Sequence, residues 1–119
     1  MATLKAVLEL SSSSLGPDKL YVPIIENISV QAPFTNMGNM IALTGGTVIL
    51  PNTNAKSVIY LRNIDPTNIV TVSNTAGVTL AILQPLGGIA FFTLAASSGL
   101  KITAAVASCT VEVGYWTRA

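Results

Sequence analysis

The chain is 119 residues long, 50% hydrophobic and only 9% charged, with six basic and five acidic side chains, a formal net charge of +1 and no histidine. Soluble domains carry about 25% charged residues, so much of the exterior is uncharged, and a net charge this small does little to hold copies apart. Lys5, Lys19, Lys56, Arg62, Lys101 and Arg118 are scattered singly, which excludes the basic stripe that nucleic-acid binding requires.

Taken in chain order, the pattern is that of short strands. Leu4, Ala6, Leu8 and Leu10 alternate with Lys5, Val7 and Glu9, the period of a half-buried strand. Ser11 to Ser14 with Gly16-Pro17-Asp18 reads as a loop. Leu20, Val22, Ile24, Ile28 and Val30 share one parity, interrupted by Glu26, and Pro23 places this strand at an edge or a break. Asn36 to Asn39 reads as a loop, and Met40 to Leu43 with Thr47 to Leu50 flank Gly45-Gly46 as a short hairpin. Pro51 to Asn54 is a further turn.

The second half is more regular. Ser57 to Arg62 and Ile69 to Val72 are β-branched runs joined by a turn from Asn63 to Asn68 with Asp65-Pro66 inside it. Leu80 to Leu83 and Ile89 to Leu94 are joined through Gln84-Pro85-Leu86-Gly87-Gly88, and Leu100 to Ala104 and Cys109 to Trp116 close the set. The expectation is one all-β domain over 1–119, an antiparallel β-sandwich or jelly roll of roughly eight to ten short strands.

Gly77 to Leu100 is uncharged and long enough to suggest a membrane helix, but Gln84-Pro85 and Gly87-Gly88 break its middle. No membrane partner is expected. The opening residues lack the basic start and apolar run of a secretory signal, so the product is expected to stay where it is made. The sequon at Asn27-Ile28-Ser29 then reads as chance, and Cys109, the single cysteine, reads as a small buried hydrophobe.

Without histidine, neither a Ser-His-Asp nor a Cys-His arrangement can be built, and His-based zinc and iron sites are gone. Glu9 and Glu112, in the terminal strands, are the one carboxylate pair worth weighing for glycoside hydrolysis, and two solvated strand-face charges explain them better. The glycine pairs lack the lysine and helix of a phosphate loop. Asp65 with Asn63 and Asn68 offers a single carboxylate to calcium, and an Asp-Pro turn accounts for it. No catalytic residue, cofactor, metal or small-molecule substrate is expected.

The aromatic residues carry the remaining interest. Phe91 and Phe92 are consecutive in a strand and point to opposite faces, so one fills the core and the other needs cover from a sheet, a subunit or a ligand. Scarce charge favours cover by other protein. A monomer coated with Ser, Thr and Asn is the opposing reading.

Four stretches carry a family likeness: the opening Met1-Ala2-Thr3-Leu4-Lys5-Ala6-Val7-Leu8-Glu9-Leu10 before Ser11 to Ser14; Val58-Ile59-Tyr60-Leu61-Arg62-Asn63 with Asp65, Asn68, Val70 and Val72; Leu83-Gln84-Pro85 with its glycine turn; and the ending Val111-Glu112-Val113-Gly114-Tyr115-Trp116. In these the chain resembles small β-rich virion proteins of tailed bacteriophages, especially decoration or fibre-type proteins of phages infecting cyanobacteria. Leu86 intervenes where such proteins often carry Pro-Gly and an acidic residue.

The resemblance implies a non-enzymatic homo-oligomer, plausibly a trimer, made in the host cytoplasm. It would be seated on the capsid surface of the virion as a decoration or cement subunit, with the major capsid protein or other virion proteins as partners. A tail, neck or fibre-base position is the first alternative, and a carbohydrate-binding sandwich using aromatics such as Trp116 or Tyr21 is the second. The residues expected at an interface are Tyr21, Phe34, Tyr60, Arg62, Asp65, Phe92 and Trp116.

Overall fold

The computed structural model describes residues 2–12 and 20–119, and the side chains of all of these except 12, 20 and 36. Nine strands make up the described chain: β1 (Ala2–Ser12), β2 (Leu20–Ala42), β3 (Thr47–Leu50), β4 (Ser57–Asn63), β5 (Val70–Ser73), β6 (Thr79–Leu83), β7 (Gly88–Leu94), β8 (Leu100–Ala104) and β9 (Cys109–Arg118). There is no helix among the described residues, and none long and apolar enough to cross a membrane. Apart from Ser11 and Ser12, which belong to β1, the expected serine-rich loop lies outside the described residues.

The chain separates into two compact units, Met1–Gln31 with Ala119, and Ala32–Arg118. The first is a hairpin. β1 pairs antiparallel with β2 in one unbroken register from Ala2 opposite Val30 to Ser12 opposite Leu20. Strand parity then puts Leu4, Ala6, Leu8 and Leu10 on one face with Val22, Ile24, Glu26 and Ile28. Lys5, Val7 and Glu9 share the other face with Asn27, Ile25 and Pro23. Pro23 does not break β2, which runs on to Ala42 and takes in the Asn36 to Asn39 segment expected to be a loop.

The second unit is a sandwich of two antiparallel sheets, ordered β2-β9-β4-β7 and β3-β8-β5-β6. Hydrogen-bonded neighbours include β5 with β6, β4 with β7, β3 with β8 and β2 with β9. This is the nesting of one long hairpin whose tip is β5–β6, folded so that successive strands alternate between sheets, which is the jelly-roll topology. One local expectation is corrected by it. The Gly45-Gly46 turn is real, with the Gly46 amide donating to the Leu43 carbonyl at 3.0 Å, yet it carries the chain from one sheet to the other instead of closing a hairpin. The Gln84 to Gly88 turn likewise connects β6 in one sheet to β7 in the other.

The core lies between the sheets. Odd positions of β4 and β9 (Ile59, Leu61, Val111, Val113) meet Val70, Val72, Leu83, Leu100 and Ile102 from the facing sheet. Fully burying each such side chain contributes about 1.5–3 kcal/mol. Asn63 is a polar member of this interior, with no exposed surface. Its Nδ2 donates to the carbonyls of Asn68 (2.8 Å) and Leu83 (3.1 Å), and its Oδ1 accepts from the Asp65 amide (3.0 Å). Its own carbonyl accepts from the Gly87 amide (2.8 Å), while the Asp65 carbonyl accepts from that of Leu86 (2.9 Å). One side chain thus clamps the β4–β5 and β6–β7 loops, and the two backbone bonds hold Leu86 at a φ of 61°, a conformation that costs a non-glycine residue of order 1 kcal/mol.

Asn63→Ala leaves two carbonyls and an amide without their partner in the interior, so it should lower unfolding stability by about 2–3 kcal/mol. Urea unfolding should show this as a lower midpoint at unchanged slope.

Candidate interaction face

The outward side of the β9-β4-β7 strands is set by parity and register. Val58 lies opposite Trp116 and Thr93, Tyr60 opposite Gly114 and Phe91, and Arg62 opposite Glu112 and Ile89. Because strand partners lie about 5 Å apart, these nine residues form a three-by-three grid. Trp116 lies down along its own strand: a Cβ at Gly114 would come within 2.7 Å of the indole. Val58, beside Trp116 in the grid, is fully buried although it points away from the core cluster. Phe91 is 48% and Ile89 63% exposed.

Tyr60 reaches diagonally across the grid, its hydroxyl donating to Glu112 Oε1 at 2.7 Å. Burial, followed by the bond to Glu112 and that carboxylate's charge, holds the phenol above its ordinary pKa, with Arg62 opposing. A raised phenol pKa means the neutral form is favoured on folding. The stabilisation is therefore complete below the ordinary tyrosine pKa and is lost as pH rises through the higher folded value. The grid thus presents Trp116, Tyr60, Phe91 and Arg62 together, the residue types that dominate protein-interface energetics. The outward side of the other sheet is mixed: Thr71, Lys101 and Thr103 share it with Val48, opposite Lys101, and Ile82, opposite Thr71, both more than half exposed.

The expected interface residues scatter relative to this grid. Tyr60, Arg62 and Trp116 belong to it. Phe92 does not, because it packs against the core cluster, and Phe91 is the member of the pair that stands open. Phe34 is exposed in the Ala32 to Ala42 part of β2, and Tyr21 is 63% exposed in the hairpin unit. Glu9 lies opposite Pro23 in that hairpin, whereas Glu112 is engaged by Tyr60.

Asp65 serves its own turn. Its Oδ2 accepts from the amides of Thr67 (3.0 Å) and Asn68 (2.7 Å), and those backbone bonds hold its carboxyl below the usual aspartate range. Donors aimed at this oxygen oppose a cation, and no cluster of three His, Cys, Asp or Glu occurs among the described residues. Cys109 is buried, its Sγ donating to the Ala107 carbonyl at 3.2 Å. Burial and then the Asp65 charge raise the thiol pKa, so it is not an activated nucleophile.

Sequence reasoning missed the loop end of the sandwich. Leu86 is 79% and Val106 77% exposed there, on the loops that follow β6 and β8. Leu86 stands in the Gln84 to Gly88 turn that pattern reading treats only as punctuation.

Two titrations follow. Glu112→Ala should move the Tyr60 titration downward, read by residue-resolved NMR at alkaline pH, because the Glu112 bond and charge disappear while Arg62 remains. Asp65 contributes stability above its unfolded pKa and loses it as pH falls through the lowered folded value. Asp65→Asn should therefore unfold more easily than the parent at neutral pH and converge with it in strong acid. Compared with protein-family models, with curated proteins and with solved structures, the chain shows no match.

Proposed function

We propose that the chain is a non-enzymatic virion structural protein, a capsid decoration or cement subunit that stabilises the head by binding the major capsid lattice. The observation that carries the reading is the grid of Trp116, Tyr60, Phe91 and Arg62 on the outward sheet face. It joins aromatic area to a planar cation in a chain that has only eleven charged side chains. Aromatic and Arg anchors gain most when a partner excludes water from them. A cement subunit repeats that gain over many copies.

The virion setting comes from the resemblance in the opening, β4 and β9 sequences. Jelly rolls occur in viral capsid and lectin domains alike, and the fold by itself selects no function. The absence of histidine from the sequence supports a binding role over general-base catalysis.

Mass spectrometry of purified particles is expected to find the chain at high copy, and purified protein should add back to shells that lack it. Phe91→Ser with Arg62→Gln should weaken that addition on the order of 100-fold while leaving the thermal unfolding midpoint nearly unchanged. A copy number in small multiples of three or six would move the protein to the tail or neck. Saturable binding on a glycan array with no affinity for shells would replace the reading with a carbohydrate-binding one.

A further inference from the structure

The hairpin unit leaves one strand unfinished. β1 has eleven residues, a register free of bulges and no neighbour but β2 among the described strands. Each of its side chains from Ala2 to Ser11 is exposed or half-buried. Free edges of this length are normally blunted by proline, bulges or repeated charge of one sign, because their unpaired amides and carbonyls recruit another strand. β1 has no proline, no glycine and two charges of opposite sign, Lys5 and Glu9, four residues apart. That spacing puts them about 14 Å apart along the strand, too far to pair within one chain.

We propose that β1 is a homodimer contact: β1 of one chain pairs antiparallel with β1 of a second copy about a two-fold axis at Val7. Only a few registers can place like strands about a dyad. Centred on Val7, Lys5 faces Glu9 of the second copy and Glu9 faces its Lys5, Val7 meets Val7, and Thr3 meets Ser11. On the other face Leu4 meets Leu10 and Ala6 meets Leu8, so every position from Thr3 to Ser11 has a partner of its own character. Centring on Ala6 or Leu8 strands both charges against Val7 and against Thr3 or Ser11, and centring on Lys5 or Glu9 sets like charges together. A parallel pairing in register repeats every like-charge contact.

The contact is isologous. It extends the hairpin to a four-stranded ribbon, continuing the apolar face of Leu8, Leu10 and Ile24, each at least 40% exposed in the single chain. An isolated two-stranded hairpin is marginal in water, and added strands supply what it lacks. The pairing rests on the hairpin alone and holds whatever surface the sandwich docks on. It sets a two-fold contact in place of the three-fold symmetry implied by the resemblance.

Sedimentation of the full chain tests it, with a dimer of twice 12.3 kDa expected. Lys5→Glu and Glu9→Lys should each raise the dimer dissociation constant about tenfold or more, since each sets two like-charge pairs across the axis. An equimolar mixture of the two variants, and the double swap in one chain, should restore association. Val7→Cys should oxidise to a covalent dimer and Thr3→Cys should not. A monomeric or trimeric parent, single variants that associate normally, or a double swap that fails to recover would overturn the proposal.

Discussion

The nested pairing of β2 through β9 is the constraint on which the rest of the sandwich depends. Successive strands from β3 onward alternate between sheets except at β5–β6, and β9 enters its sheet between β2 and β4. Neither sheet can bury its inward row of Val, Ile and Leu until the other is in place, and one sheet stays divided until the last strand arrives. The contacts that matter are therefore distant in sequence, which predicts slow folding relative to helical proteins of this size.

The sandwich can satisfy itself internally in a way its composition does not advertise. No buried side-chain nitrogen or oxygen among the described residues lacks a hydrogen-bond partner, and Asn63, Ser57 and Thr117 each bind backbone groups. With polar matching complete inside, the scarce charges are free to be disposed on the outside, where Arg62 and Glu112 flank the aromatic grid. The low charge content is thus a property of the surface, and it is there that partners must be sought.

Strand periods were largely readable. The alternation of β1 and the run Leu100 to Ala104 need only local parity, and both appear where that parity puts them. The Asn36 to Asn39 stretch was not legible, because strand pairing along a 23-residue β2 overrides the loop preference of Asn and Gly. Sheet membership was equally hidden. The Gly45-Gly46 turn looks local, but which sheet receives β3 is decided by its pairing with β8, some fifty residues on. Phe91 and Phe92 show the limit at the site itself. Parity separates their faces, yet Ala90 and Leu94 on one side and Ile89 on the other are all apolar, so only the opposing sheet tells which side is the core.

The sandwich carries its own core, whereas under the proposed β1 pairing the hairpin gains stability from a second copy. Native-state hydrogen exchange across a dilution series tests this division directly. Amides of β4 should exchange with the same protection at every concentration, while those of β1 should lose protection on dilution. Equal, concentration-independent protection of β1 and β4 would contradict it.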